Sequence, residues 1–137
     1  MALDLTSLRK SVDALGRSVD VADSESLDGD IFEAVKAGVV QNFEVAYEQC
    51  WKFIQRWLRD NQSPDEADFP RTRKDLFRAA VRYGLIPDPL PWFSYGDARN
   101  LTSHTYNEQQ AAEVYESAKQ FVVDARMLLD RLESLHD

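Results

Sequence analysis

The sequence predicts an all-α protein, an up-and-down antiparallel four-helix bundle with one additional short helix, in a single domain over residues 1–137. Three long stretches carry apolar residues at spacings of three and four, the period of one helix face. No window alternates apolar and polar residues as a strand does, and the short connections favour antiparallel neighbours. A chain of 137 residues has the size of one domain with one core.

The first two predicted helices differ in how much of their surface is apolar. The first has one apolar face, and the polar run Asp20–Asp30 follows it as a loop. The second, Ile31 to Asp60, lacks proline and is apolar on more than one side, which is typical of a central or shared helix. Cys50 within it is expected to be a small core residue. The apolar face of the first helix consists of Leu5, Leu8, Val12, Leu15 and Val19.

Breaker residues divide the second half of the chain. Asn61–Pro70 is a connection, and the third helix is predicted over Arg71–Tyr83, with Gly84 after it in the left-handed conformation. Three prolines then predict an extended linker, because proline disfavours helix in the preceding residue. A short fourth helix follows from Trp92 to His104, and a capping box at Asn107 begins the last helix. The linker prolines are Pro87, Pro89 and Pro91.

Charge narrows the kinds of partner that the chain can bind. The net charge of −8 argues against a protein that binds nucleic acid through a generally basic surface. The predicted third helix is an exception, since it combines five basic residues with a single acid, Asp75. Two interpretations stay open: a surface for phosphates or a partner protein, and a solvated face paired with neighbouring acids. The basic residues are Arg71, Arg73, Lys74, Arg78 and Arg82.

The segment Arg99–Tyr106 concentrates residues that can carry out chemistry. His104 can transfer a proton near neutral pH, and Arg99 can hold a phosphate and stabilise charge that develops on it. Residues five apart lie about 140° apart around a helix, so these two diverge within one chain. Two copies packed across a twofold axis would bring them together. The alternative is a surface ion pair at Arg99 and a helix-end cap at His104.

Other candidate residues favour structural roles. Trp92, Phe93 and Tyr95 are expected to pack the short helix on the bundle, with stacking on an unpaired base as the alternative. Glu44 and Glu48 share a helix face, but no third ligand accompanies them, so no metal site is predicted. The early residues include an aspartate and no long apolar run, so we expect a cytoplasmic protein without a secretory signal or membrane contact.

Three segments carry patterns that occur together in one known family. Arginine, four residues, histidine, one residue and tyrosine are complete at Arg99, His104 and Tyr106. Asn42–Lys52 has the pattern Phe-Glu, aromatic, Glu, Trp-Lys, and Ala79–Ile86 has the matching end of a third helix. In this order the segments resemble those of HEPN-domain proteins encoded beside a minimal nucleotidyltransferase.

The resemblance implies a homodimeric bundle in which the Arg–His motifs of both chains line a cleft. It implies a metal-independent endoribonuclease toxin of a toxin–antitoxin pair, with no cofactor. Arg99 would position the RNA phosphate, His104 would transfer a proton as the 2′-hydroxyl attacks, and Asn100 would assist. The partner nucleotidyltransferase antitoxin would silence the toxin by adding AMP to Tyr106. The alternative is a non-catalytic subunit that binds substrate or nucleotide for a two-component nucleotidyltransferase.

Overall fold

The computed structural model describes residues 3–24, 28–62, 72–101 and 108–135. These residues form five α-helices and no strands, so the prediction of an all-α up-and-down bundle is confirmed. None of the described helices contains an apolar stretch long enough to cross a membrane. The helices are α1 (Thr6–Ser24), α2 (Gly29–Asn61), α3 (Arg73–Arg82), α4 (Pro89–Leu101) and α5 (Glu108–Ser134).

The long helix α2 lies at the centre of the bundle and contacts each of the other four helices. Val40 and Phe53, which fall outside its main apolar stripe, are both buried, so the prediction of a central helix is confirmed. Cys50 is fully buried in the core as predicted, and burial raises the pKa of its thiol. Asp28 caps the start of α2, since its carboxylate accepts a hydrogen bond from the Ile31 amide at 3.3 Å.

An aromatic cluster joins α2, α4 and α5 around Phe121. Its ring centroid lies 5.1 Å from that of Tyr95, 5.6 Å from that of Trp92 and 5.3 Å from that of Phe43, all in edge-to-face geometry. Tyr47 lies 6.2 Å away at a tilted angle. Edge-to-face pairs align the positive rim of one ring with the negative face of the next. The cluster therefore fixes how the short α4 lies across the two long helices.

The loop predicted over Asp20–Asp30 is too long. Helix α1 continues to Ser24, because Ala22 extends its apolar face and is buried against the core. Helix α2 already begins at Gly29, one residue after its cap. Asp20, Asp23 and Asp30 lie on exposed faces of the two helices, and composition alone does not distinguish such faces from a loop.

The prediction of an extended linker across the three prolines is also wrong for the last two of them. Pro89 begins α4 and Pro91 lies in its first turn. Amides in a first helical turn have no partner within the helix, so a proline there removes no hydrogen bond. Asp88 precedes this turn, and its carboxylate accepts a hydrogen bond from the Leu90 amide at 3.0 Å. Pro87 precedes the helix, as predicted.

Gly84 ends α3 in the left-handed conformation, with φ at +78°. Its amide donates to the Val81 carbonyl at 3.0 Å, and the Leu85 amide donates to the Ala80 carbonyl at 2.8 Å. These bonds use carbonyls that the helix leaves without partners. The prediction of a glycine cap is confirmed, and Leu85 turns back into the core.

Candidate functional site

Helix α4 has one face in the core and presents its candidate site residues on the other. Trp92, Tyr95 and Ala98 are buried at spacings of three. The Tyr95 hydroxyl donates a hydrogen bond to the carboxylate of Asp124 on α5. The prediction that Trp92 and Tyr95 pack the short helix on the bundle is therefore confirmed. Because this face is anchored, the position of Arg99 in the last turn is fixed by the core.

The side chain of Glu48 brings together two arginines from different helices. Its Oε1 lies 3.5 Å from Nε of Arg99 and 4.0 Å from Nη1 of Arg73. Its Oε2 accepts a hydrogen bond from the Trp51 indole at 2.9 Å. The Arg73 guanidinium also lies 4.3 Å from the centroid of the Trp51 ring, within cation–π range. The result is a compact cluster that orients Arg99 from the side of α2.

The sequence does not predict this role of Glu48, because on a helix face shared with Glu44 the residue forms part of an acidic pair. Its contacts are with cations and an indole instead. One signal was available, because Glu48 falls between the buried residues Tyr47 and Cys50 on a helix apolar on several sides. A half-buried carboxylate requires a partner. Among the described residues, no group of three or more metal-binding side chains occurs.

The basic residues of α3 differ in the side chains that surround them. Lys74 and Arg78 both lie over the ring of Phe93, at 5.5 and 5.2 Å from its centroid. Arg78 also forms an ion pair with Asp75 at 2.9 Å, while Arg82 is exposed in the last turn. The shared face predicted for Lys74 and Arg78 is thus present, and it carries an aromatic ring together with one intrahelical acid.

Part of the predicted site lies outside the described residues. This holds for Arg71, His104, Tyr106 and the capping box at Asn107. Their roles stay predictions. Of the proposed catalytic set, the structure describes Arg99 and Asn100, which are neighbours in the last turn of α4.

A cavity of about 460 Å³ opens beside this cluster, between α2, α3 and α4. Tyr47, Phe77 and Trp92 line it and are buried, so they form its floor. Arg73 and Asn100 line its exposed edge. The volume is within the range of small-molecule sites, and the lining combines aromatic rings with a few polar groups, as such sites usually do.

Tyr47 contributes a hydroxyl group to the buried floor of this cavity. The residue is fully buried, and its hydroxyl lies near the Arg73 guanidinium but makes no hydrogen bond of ordinary geometry within the described residues. Burial raises the pKa of its phenol, and the nearby Arg73 guanidinium offsets part of the rise. A Cβ atom at Gly96 would lie 2.9 Å from this hydroxyl oxygen, so only glycine allows α4 to approach Tyr47 this closely.

The fold and the site define the class of protein: an all-α bundle whose candidate site lies at the junction of α2, α3 and α4. Within that class, the chain belongs to the family described as nucleotidyltransferase substrate binding protein like, whose family model matches residues 3–134. The family that the sequence motifs resemble is thereby confirmed.

A curated protein and a solved structure that match the chain both come from Haemophilus influenzae. A protein named "Probable ribonuclease HepT" is 38% identical over 96 residues, which is 70% of this chain and 66% of the relative, just under two thirds of its length. A solved structure, described as revealing the fold of a substrate binding domain of a nucleotidyltransferase, has a TM-score of 0.84 at 31% identity. That match covers 95% of this chain and 99% of the other.

A further similar chain, a crystal structure from Thermus thermophilus, has a TM-score of 0.72 at 24% identity. It covers 91% of this chain and 98% of its own. At this identity it supports the fold alone. The two solved structures agree on one helical architecture over nearly the whole chain.

Proposed function

We propose that this protein is a metal-independent endoribonuclease toxin of a toxin–antitoxin pair, active as a homodimer. Arg99 and His104 cleave RNA at a cleft between the two chains, with Asn100 assisting. The observation that carries the proposal is the complete set of Arg99, His104 and Tyr106 in the sequence, with Arg99 in the last turn of α4 near a second arginine, Arg73, at Glu48. The ribonuclease name of the Haemophilus influenzae relative supports the same activity.

The proposed reaction is an internal transfer at phosphorus. The RNA 2′-oxygen forms a bond to phosphorus as the bond from phosphorus to the 5′-oxygen breaks, which gives a 2′,3′-cyclic phosphate and a free 5′-hydroxyl. The proton leaves the 2′-hydroxyl to a base and the 5′-oxygen receives one from an acid, with His104 acting in this transfer. Arg99 binds the non-bridging oxygens, where negative charge increases in the transition state.

The proposed antitoxin is a minimal nucleotidyltransferase that modifies Tyr106. The tyrosine oxygen attacks the α-phosphorus of a nucleoside triphosphate, pyrophosphate leaves, and AMP stays on the tyrosine. Tyr106 follows His104 by two residues, so the added phosphate puts negative charge beside the proposed catalytic residues. Like charge there opposes RNA phosphate binding, which is how the modification would silence the enzyme.

Cleavage of cellular RNA by the purified dimer in a chelating buffer tests the activity. Arg99→Ala is expected to lower the rate by about 100-fold or more, and His104→Ala by a similar factor. Arg17→Ala, an exposed arginine on α1, is the matched control and is expected to cleave normally. If the wild-type dimer cleaves no cellular RNA, and its expression without the partner does not slow growth, the proposal is wrong.

The family description favours a second candidate, a non-catalytic subunit that presents substrate or nucleotide to a nucleotidyltransferase. It predicts a stable complex with that enzyme and nucleotide binding that depends on the cleft. Co-purification followed by calorimetry measures both. A complex with an unmodified protein that cleaves no RNA would favour this candidate. Mass spectrometry of the co-expressed pair, with AMP localised to Tyr106, would favour the toxin.

A further inference from the structure

The cavity between α2, α3 and α4 has a lining that matches one chemical class of ligand. Its floor is aromatic, formed by Tyr47, Phe77 and Trp92. A flat apolar ring system therefore fits there better than a sugar or a bare phosphate. The Tyr47 hydroxyl adds one polar group, which lies near the Arg73 guanidinium but makes no hydrogen bond of ordinary geometry within the described residues. Burying such a group is unfavourable, so a ligand atom that hydrogen-bonds to it gains affinity.

The edge of the cavity has the opposite character. Arg73 and Lys74 supply two positive charges on one side. Asp97 and Asn100, from α4, supply a carboxylate and an amide on the other. The cations suit a phosphate, while the carboxylate and amide suit the donor and acceptor groups of a heterocyclic base. A molecule with an aromatic heterocycle at one end and a phosphate at the other uses both parts of the lining.

Helix α4 connects the cavity to the proposed catalytic arginine. Phe93, Asp97 and Asn100 line the cavity at spacings of four and three, the period of one helix face. Arg99 is joined to the edge of the cavity through Glu48, whose Oε1 lies 3.5 Å from Nε of Arg99 and 4.0 Å from Nη1 of Arg73, a lining residue. A phosphate held by Arg99 thus lies next to the edge of the cavity, and an adjoining nucleotide of the same strand can place its base inside.

We propose that this cavity is a subsite for the base of a nucleotide in the RNA strand, next to the phosphate that Arg99 holds. This inference rests on the proposed ribonuclease function. Single-stranded RNA is generally recognised by unstacked bases placed against aromatic side chains, with hydrogen bonds to their edges. Here the partly exposed ring of Phe93 supplies the stacking surface, since the floor rings are almost fully buried, and Tyr47, Asp97 and Asn100 supply the polar contacts.

Mononucleotides test the subsite without any cleavage step. Adenosine, guanosine, cytidine and uridine 5′-monophosphates are titrated into the wild-type protein by calorimetry, with ribose 5-phosphate as the probe that lacks a base. We expect at least one nucleotide to bind about fivefold or more tightly than ribose 5-phosphate, the effect of one stacked base. Equal affinity for all five compounds would overturn the proposal.

Two tyrosine variants give the matched comparison. Tyr47→Phe removes the hydroxyl in the cavity and is expected to weaken nucleotide binding about two- to tenfold. Tyr95→Phe removes another buried hydroxyl, which contacts Asp124 and is not part of the cavity lining, so its nucleotide affinity is expected to stay unchanged. Phe93→Ala is a second test from the cavity wall, with an expected loss of about fivefold or more. Equal affinities of all three variants and the wild type would contradict the assignment.

A competition experiment identifies the source of the nucleotide. A short RNA oligomer is added to the complex of the His104→Ala protein with the mononucleotide that binds best. Displacement of the mononucleotide supports a subsite for RNA, and simultaneous binding of both refutes it. The two proposals fail separately: nucleotide binding without RNA cleavage removes the ribonuclease, and cleavage without base-dependent binding removes the subsite.

Discussion

Arg99 of α4 is paired with Glu48 of α2, with Nε of the arginine 3.5 Å from Oε1 of the glutamate. The pair connects a short helix to the central helix of the bundle. Both side chains are partly exposed, so the pair adds little to the free energy of folding. Its consequence is orientation, because the guanidinium direction is set from α2.

Glu48→Gln is therefore expected to affect the proposed cleavage reaction more than stability. Glutamine retains an acceptor for the Trp51 indole but loses the charge that holds Arg99. We expect kcat for RNA cleavage to fall about tenfold with little change in KM, because misplaced groups slow the chemical step. Steady-state kinetics on a defined RNA measure both constants. Glu44→Gln, one helical turn earlier, is the control, and an equal fall in that variant would contradict a positioning role for Glu48.

Phe121→Ala should be among the most destabilising core substitutions. The ring contacts four other aromatic side chains and is fully buried. Its removal leaves a cavity, so the free energy of unfolding is expected to fall by about 3–5 kcal/mol. Val123, on the same helix, is 59% exposed, so Val123→Ala should change the free energy of unfolding by less than about 0.5 kcal/mol. Urea denaturation measures both values, and similar losses would show that Phe121 is not central to the core.

Two glycine substitutions are expected to change the free energy of unfolding in opposite directions. Gly84 has a positive φ, so Gly84→Ala should lower the free energy of unfolding by about 1–2 kcal/mol. Gly38 lies within α2, and a Cβ there meets no atom within 4 Å. Gly38→Ala should therefore raise the free energy of unfolding by about 0.5–1 kcal/mol, the difference in helix propensity between glycine and alanine. Thermal unfolding of the two variants compares them directly, and a change of the same sign in both would refute this account.

Alkaline pH should destabilise the protein through Tyr95. Burial, together with the hydrogen bond and charge of Asp124, raises the pKa of this phenol above its ordinary 10.0. The folded state therefore keeps the proton where the unfolded state loses it, so the contribution of Tyr95 to stability is complete below about pH 10 and is lost as the pH rises further. Urea denaturation on either side of that ordinary value measures the loss.

Tyr95→Phe provides the control for this pH dependence. The variant should be less stable at neutral pH by about 1–3 kcal/mol, since it loses a hydrogen bond to a charged group. Above the ordinary phenol pKa its stability should decline less steeply than that of the wild type. Identical slopes in the two proteins would exclude Tyr95 as the titrating group.

The sequence was sufficient for the features that depend on periodicity. The apolar spacing predicts α1, α2 and α5, and the position of Gly84 predicts the end of α3. It was insufficient where one residue type is compatible with two structures. Pro89 and Pro91 disfavour helix in most positions but are tolerated in a first turn, so the start of α4 depends on the cap from Asp88.

The candidate site was predictable to a smaller extent. The Arg–His–Tyr pattern predicts the segment, of which His104 and Tyr106 lie outside the described residues, and composition indicates the basic residues of α3. The contact of Glu48 with Arg99 joins residues 51 positions apart and depends on how α4 crosses α2. That crossing follows from the packing around Phe121, and no local pattern encodes it. The cavity at Tyr47 depends on the same crossing.

The cations at the α2–α3–α4 junction belong to a chain of net charge −8, so the surface potential is uneven. Charges on a protein surface act over about 8 Å at physiological ionic strength. A polyanion is therefore attracted close to the junction, while the excess of acids elsewhere repels it. The charges therefore favour one orientation of the approaching polyanion before it contacts the protein. Added salt weakens this attraction and this repulsion together, so it removes the selection of orientation as well as the gain in association rate.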